Sequence, residues 1–238
     1  MKNFLLLFPK LTGPLRSIYN YYFGESEIFF IHNEIKSKKY KYIFYDIGAN
    51  YGVYTFFFGK KAEKIYVFEP VKECIEYIKA GYSKNNINLV SKIASDTNSV
   101  KQLRIPIINK RKIFGKASIV NKFNSFEARD VKSTTINNYL YQEEQKSNEL
   151  LHIIKIDVEG HENNVLSGAL NVLRKKNVLV VIEIEKRHNK EYLEVFKIMI
   201  DLNFKVFFLK DKKIERIDSL SEVEEKMKHN NNFIFKNY

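Results

Sequence analysis

Short runs of apolar residues alternate along this chain with segments in which apolar residues recur at helical spacing. The apolar runs predict strands at residues 41–47, 65–69, 89–93, 152–157, 178–184, 204–209 and 233–235. The other segments predict helices at residues 53–60, 71–82, 165–173 and 191–202. Strands that alternate with helices form βαβ units, so we expect an α/β protein with a mainly parallel sheet and helices on both faces. The strands are apolar throughout, as burial on both faces of a sheet requires.

Three segments fall outside this alternation. Residues 1–40 are rich in Phe, Tyr and Lys and predict a helical cover, or an arm through which a homodimer forms. Residues 97–150 predict an inserted hairpin and polar loop within a domain that spans residues 41–238. Residues 211–229 are rich in Lys and Glu and predict a solvent-exposed helix.

Composition narrows the class of protein. Because 45% of the residues are apolar and 14% are aromatic, the chain can fill a hydrophobic core, which excludes a wholly disordered protein. The single cysteine, Cys74, excludes a disulfide framework and any metal site built from several cysteines of this chain. The apolar run at residues 4–8 ends at Pro9 and is too short for a signal peptide or a membrane span. We therefore expect a cytoplasmic protein without a membrane span.

The net charge of +12 raises the question of a nucleic-acid partner. Lysine outnumbers arginine 33 to 7, however, whereas phosphate and base recognition favours the forked guanidinium group of arginine. The lysines are also scattered along the chain. The charge therefore indicates a solvated basic surface, and we do not expect nucleic acid to be the partner.

Glycines and acids follow the first two predicted strands. The first strand runs into DIGANYG at residues 46–52, and Glu69 closes the second strand. Ligands of open α/β sheets bind at the carboxyl ends of the strands, where this turn belongs. The glycine spacing differs from the G-x-G-x-x-G of dinucleotide sites, which argues against NAD. Glu69 is placed to accept hydrogen bonds from ribose hydroxyls; the alternative is a helix-capping turn beside an exposed acid.

Three blocks of the sequence resemble one family. They are FYDIGANYGVYT with YVFEP, then IIKIDVEGHENNVLSGA, and then VVIEIE. Over about residues 40–210 the chain resembles the FkbM family of S-adenosylmethionine-dependent methyltransferases. The resemblance implies a Rossmann-like class I methyltransferase fold, with a seven-stranded sheet whose last strand is antiparallel. It also implies S-adenosyl-L-methionine as the cofactor.

The same resemblance implies a set of cofactor-binding residues. The loop on the methionine side would contain Asp46, Gly48, Ala49, Asn50 and Gly52. Glu69 would bind the ribose with Pro70 next to it, and Asp157 would lie close to the methyl group. The residues near the adenine would be Ala94, Ser95 and Asp96.

The segment KIDVEGHE at residues 155–162 carries five ionisable groups within eight residues. Methyl transfer to a hydroxyl needs a base, and a neutral imidazole at His161 suits that task near pH 7. Asp157 or Glu159 would orient the imidazole or accept the proton directly. The alternative is that His161 and Glu162 only begin the next helix.

A divalent metal ion is a further hypothesis. Glu183, Glu185 and His188 follow the fifth predicted strand. Together with Asp157, Glu159 and His161 they would form an oxygen-rich pocket of the kind that holds Mg²⁺ or Mn²⁺. The alternative is a metal-independent site.

The resemblance implies O-methylation of a carbohydrate, a polysaccharide or another small polar metabolite. Two alternatives stay open: an RNA or protein methyltransferase that uses the basic surface, and a catalytically inactive module that keeps the cofactor pocket.

Two local features of the sequence bear on the candidate site. Thr135-Ile136-Asn137 stands where family members commonly have T-L-D, and the loop at residues 114–118 resembles one that lies near the family's active site.

Overall fold

The structure, a computed structural model, describes residues 8–140, 150–210 and 212–238. Within these residues twelve strands form two sheets. In chain order they are β1 (Tyr42–Ile47), β2 (Lys64–Phe68), β3 (Ile87–Val90), β4 (Ile93–Ala94), β5 (Val100–Ile108), β6 (Arg111–Lys112), β7 (Phe126–Thr134), β8 (Leu151–Ile156), β9 (Val178–Glu183), β10 (Lys205–Lys210), β11 (Lys213–Ile217) and β12 (Asn232–Lys236).

The helices occur mainly between the strands of the main sheet. They are α1 (Pro9–Phe23), α2 (Ser26–Lys38), α3 (Val53–Phe58), α4 (Lys72–Gly81), α5 (Asn137–Leu140), α6 (Glu162–Ser167), α7 (Leu170–Leu173), α8 (Tyr192–Asp201) and α9 (Leu220–Lys226). Within the described ranges, none of these helices combines the length and the apolar composition that a membrane span needs.

The main sheet has the order β11-β10-β12-β9-β8-β1-β2-β3. Neighbours from β9 to β3 are parallel, whereas β12 is antiparallel to both β9 and β10. The predicted Rossmann-like α/β fold with an antiparallel last strand is therefore confirmed. The sheet has one strand more than predicted, because β11 pairs with the outer edge of β10.

The edge strand β11 corrects the prediction of an exposed helix at residues 211–229. Residues 213–217 form a hairpin with β10, in which Ile217 is buried opposite Val206. The charged residues of this strand are exposed at the edge of the sheet, so its composition resembles that of a solvated helix. Only α9 in this segment is helical, and residue 211 lies outside the described residues.

The two faces of the main sheet are covered by different helices. Ile28 of α2, Phe56 of α3 and Ile78 of α4 belong to the core on one face. Val165 of α6 and Phe196 of α8 belong to the core on the opposite face, together with residues of α7 and α9.

The first helix forms an outer layer on α3 and α4. The Ser17 hydroxyl donates a hydrogen bond to the Val53 carbonyl at 2.7 Å, and Gly13 lies against the Phe56 ring. The opposite side of α1 exposes apolar side chains such as Leu11 and Leu15. The use of residues 1–40 as a separate cover or dimer arm stays a prediction.

The second sheet has the order β4-β7-β5-β6; β5, β6 and β7 fall within the segment predicted as an insertion, whereas β4 precedes it. The long strands β5 and β7 are antiparallel, and the chain between them returns to the carboxyl edge of the main sheet. The predicted third strand, 89–93, is divided, because β3 pairs with β2 whereas β4 pairs with β7. Residues 141–149 of the predicted insertion lie outside the described residues.

The helix predicted at residues 165–173 begins earlier, at Glu162, and is interrupted at Gly168. A Cβ atom at Gly168 would lie 1.9 Å from the Ser95 carbonyl oxygen, which is closer than any non-bonded contact permits. We expect Gly168→Ala to lower the free energy of unfolding by about 1–3 kcal/mol, because the Ser95 backbone must move. Urea denaturation measures this change.

Gly115→Ala is the matched control for Gly168→Ala. The Cβ atom at Gly115 would meet only the Asn50 side-chain amide, whose free end can turn away. Equal unfolding midpoints for the two variants would contradict the prediction.

Candidate functional site

A cleft lies at the carboxyl ends of β1, β2 and β8, where these adjacent parallel strands end side by side. Loops after the three strands form its walls, and residues 114, 115 and 117–119, which connect β6 to β7, form a further wall. This is the edge at which open α/β sheets bind ligands. The sequence-predicted site residues that line the cleft are Gly48, Asn50, Glu69, Pro70, Ala94, Asp157, Glu159 and His161.

Five other predicted cofactor residues do not line the cleft: Asp46, Ala49, Gly52, Ser95 and Asp96. Asp46 is only 2% exposed, and its Oδ2 accepts a hydrogen bond from the Thr55 hydroxyl at 2.6 Å. Burial raises the pKa of Asp46 to about 6. Asp46 thus connects β1 to α3. Direct contact between the cofactor and any of these five residues stays a prediction.

Gly48 brings the turns after β1 and β8 together. Its φ is +77°, and a Cβ atom there would lie 1.9 Å from the Asp157 carbonyl oxygen. The Gly48 amide donates to the Phe68 carbonyl at 2.9 Å, and the Asp157 amide donates to the Ile47 carbonyl at 3.0 Å. Only glycine combines this backbone conformation with so close an approach.

Glu69 is a buried carboxylate that two loops hold in place. Its Oε2 accepts a hydrogen bond from the Asn50 amide at 2.7 Å, and its Oε1 accepts one from the Val71 amide at 2.8 Å. Burial nevertheless raises the pKa of Glu69 to about 7. Each carboxylate oxygen has two lone pairs, so Glu69 keeps acceptor capacity for hydroxyl donors in the cleft.

His161 is held on the Ser95 side of the cleft. The Ser95 hydroxyl donates to Asp96 Oδ1 at 2.8 Å and lies 2.9 Å from His161 Nε2. With its proton donated to Asp96, the hydroxyl oxygen accepts the hydrogen bond from Nε2, which assigns the proton of the neutral ring to this nitrogen. Burial lowers the pKa of His161 to about 4, so the imidazole is neutral at pH 7.

Glu159 lies in a turn that the second sheet stabilises. Its φ is +53°, and its carbonyl accepts hydrogen bonds from the Ser118 hydroxyl at 2.9 Å and the Asn121 side-chain amide at 3.3 Å. The carboxylate Oε2 lies 2.7 Å from Nδ1 of His188. Burial and the neighbouring charges of Asp157 and Glu185 raise the pKa of Glu159 to about 7.

A second cavity, of about 440 Å³, lies next to the cleft. Its lining comes from residues 106–108, from the loop at 121–125, and from Lys116, Arg187 and His188. Among the described residues, Glu159 is the one that lines both the cleft and the second cavity. Sequence analysis missed this cavity, and the loop at 114–118 was its only signal.

Two residues that the sequence analysis singled out form hydrogen bonds within the fold. Glu162 begins α6, and its carboxylate accepts hydrogen bonds from the Gly160 amide at 2.8 Å and the Asn189 side-chain amide at 2.7 Å, so it stabilises the turn. Asn137, which replaces the acid of the common T-L-D element, accepts a hydrogen bond from the Asn171 amide at 3.1 Å. An asparagine there can thus still bind the first turn of α7.

The hypothesis of a metal pocket is not supported. In the parts of the chain that the structure describes, no group of three or more His, Cys, Asp or Glu side chains could hold a metal ion. Glu185 instead pairs with Arg187, and Glu159 pairs with His188.

The chain matches the family described as methyltransferase FkbM domain over residues 46–206, and it belongs to this family. The resemblance stated above is thereby confirmed. No curated protein sequence matches the chain significantly.

Several solved structures are similar to this chain. A methyltransferase FkbM from Methylobacillus flagellatus KT has 12% identity and a TM-score of 0.48, with 82% of this chain and 43% of that protein covered. This chain therefore spans less than half the length of that protein. A precorrin-6y C5,15-methyltransferase from Geobacter metallireducens GS-15 has 13% identity and a TM-score of 0.39, with 82% and 79% covered. An rRNA methylase from Streptococcus thermophilus has 10% identity and a TM-score of 0.42, with 87% and 92% covered.

The raised pKa of Glu69 makes a prediction about stability. The carboxyl group has an ordinary pKa of 4.5, and in the folded chain its pKa is about 7. The folded state therefore holds the proton more tightly, and the stability that protonated Glu69 contributes is full below pH 4.5 and is lost as the pH rises through 7. Relative to Glu69→Gln, we expect the natural chain to lose about 1–3 kcal/mol of unfolding free energy over this interval.

Urea denaturation at several pH values measures this difference. Glu76→Gln is the control, because Glu76 is an exposed glutamate of α4. A constant difference between the natural chain and Glu69→Gln across the interval would show that Glu69 ionises normally.

Proposed function

We propose that this chain is an S-adenosylmethionine-dependent O-methyltransferase that acts on a hydroxyl of a carbohydrate, a polysaccharide or another small polar metabolite. Its membership of a methyltransferase family supports the reaction type. The observation that carries the proposal is the buried Glu69 carboxylate, which backbone amides hold at the wall of the cleft. Two ribose hydroxyls are donors that such a carboxylate accepts with charge-assisted hydrogen bonds.

The types of residue that line the cleft suit the parts of this cofactor. In the proposal, Gly48 and Asn50 contact its methionine part, Glu69 binds the ribose, and Ala94 packs near the adenine. Ser95 and Asp96 support the adenine side through His161. Asp157 lies at the end of β8, nearest to the methyl group. When bound, the cofactor supplies a methyl group on a sulfonium, so the chain must orient the acceptor and remove its proton.

Glu159 is the general base in this proposal. A carboxylate with a pKa of about 7 is well matched to proton transfer near neutral pH, and the neighbouring His188 orients it. His161 is a weaker base, since its pKa is about 4 and its Nε2 already contacts Ser95. Glu159 would receive the proton of the acceptor hydroxyl when that oxygen takes up the methyl group that the bound cofactor would supply.

Calorimetric titration with S-adenosylhomocysteine tests the cofactor site without an acceptor. We expect micromolar binding by the natural chain, which Glu69→Ala weakens by about 1–3 kcal/mol because the ribose hydroxyls lose their acceptor. Glu76→Ala, on the exposed side of α4, should bind as the natural chain does. A folded natural chain that fails to bind would contradict the proposed function.

A pH profile tests the base. With an acceptor selected from a panel of sugars and other hydroxyl compounds, we expect kcat/KM of the natural chain to rise as the pH passes through about 7 and Glu159 ionises. Glu159→Gln should lower the rate by about 100-fold or more and remove this rise, with unchanged affinity for S-adenosylhomocysteine. His161→Gln should keep the rise. The opposite pattern, loss of the rise only in His161→Gln, would assign the base to His161.

A further inference from the structure

The second cavity lies next to Glu159, the proposed general base. It shares Glu159 with the cleft, and its volume of about 440 Å³ suits a small-molecule ligand. The loop that carries Ser118 and Asn121 forms one wall and also binds the Glu159 carbonyl. A molecule in the second cavity would therefore lie next to the proposed base.

The second cavity has an excess of positive charge. Lys116, Lys122 and Arg187 lie on its wall. Arg187 is already neutralised by hydrogen bonds to Glu185. Lys116 and Lys122 form no ion pair with any other described residue, and both are exposed. Two cationic side chains are thus available to a ligand.

The remaining acidic group does not cancel this charge. Glu159 is the carboxylate on the wall, and burial together with Asp157 raises its pKa to about 7, so that it is partly protonated at neutral pH. The positive charge of Lys116 acts in the opposite direction and lowers the pKa of Glu159.

The uncharged part of the wall suits a polyhydroxyl compound. Asn124 and Ser125 offer hydrogen-bonding side chains, and the half-buried ring of Phe123 offers an apolar surface. Aromatic rings and amide groups of this kind pack against and hydrogen-bond to the two surfaces of a sugar ring.

We infer that the second cavity is the acceptor site and that the acceptor is a hydroxyl compound carrying a carboxylate or phosphate group. The anionic group pairs with Lys116 and Lys122, and a hydroxyl of the same molecule reaches Glu159. This inference rests on the proposed function, to which it adds the charge of the acceptor.

Ligand-observed NMR titration of the full chain with three probes tests the inference. The probes are D-glucuronate, D-glucose 6-phosphate and the neutral methyl glucoside, each with and without S-adenosylhomocysteine. We expect at least one anionic probe to bind about tenfold or more tightly than the neutral one. A preference for glucuronate assigns a carboxylate to the acceptor, and a preference for glucose 6-phosphate assigns a phosphate.

Variants that remove positive charge test whether the anionic probe binds in the second cavity. Lys116→Gln combined with Lys122→Gln should weaken binding of the preferred anionic probe about tenfold or more. Lys79→Gln removes an exposed lysine of α4, away from both cavities, and should leave it unchanged. Both variants should bind S-adenosylhomocysteine as the natural chain does.

Three results would overturn the inference: no binding of either anionic probe, equal binding of neutral and anionic probes, or unchanged anion binding in the double variant. Each of them can occur while S-adenosylhomocysteine still binds, and the proposed function then stands. Failure to bind S-adenosylhomocysteine overturns the proposed function itself and is measured separately.

Discussion

The close approach of Gly48 to Asp157 is the constraint on which the candidate site depends. The adjacent parallel strands β1 and β8 end at the same edge, and the absence of a side chain at Gly48 lets the Asp157 carbonyl lie against its backbone. The hydrogen bond from the Gly48 amide to Phe68 fixes the end of β2 beside them. The Asn50 amide can therefore reach Glu69, and residues 157–161 face the same cleft. A side chain at position 48 would separate all three loops.

Burial of acids at this edge is the second property that the fold creates. Asp46, Glu69 and Glu159 all have raised pKa values, because the surrounding loops and helices remove water from them. Lys155, which is 3% exposed, lies in β8 opposite Asp46 of β1. Burial alone would lower the pKa of Lys155, but the charge of Asp157 and other acids raises it, so the lysine stays charged. The charge of Lys155 in turn lowers the pKa of Asp46 and of Glu183, so this buried cation offsets part of the effect of burial on those two acids.

The two sheets supply different parts of the site. The parallel sheet supplies the loops that carry Gly48 and Glu69, as is general for open α/β sheets. The second sheet supplies Lys116, Ser118 and the loop at 121–125, and so forms much of the second cavity. Loops on a rigid scaffold vary more readily than the scaffold itself. In the proposed function, the cofactor side therefore belongs to the scaffold and the acceptor side to the second sheet.

The sequence by itself determined the α/β architecture, because strands buried on both faces must be continuous apolar runs and their helices must be amphipathic. It also located DIGANYG, Glu69 and KIDVEGHE at the carboxyl edge, since each lies at the end of a predicted strand. The local pattern did not predict the exposed edge strand β11, nor the interruption of the helix at Gly168. Only the tertiary structure brought Lys116 and Arg187 to one cavity beside Glu159. Contacts between loops distant in sequence leave no periodic signal, and the pKa of Glu159 depends on the water that those loops exclude.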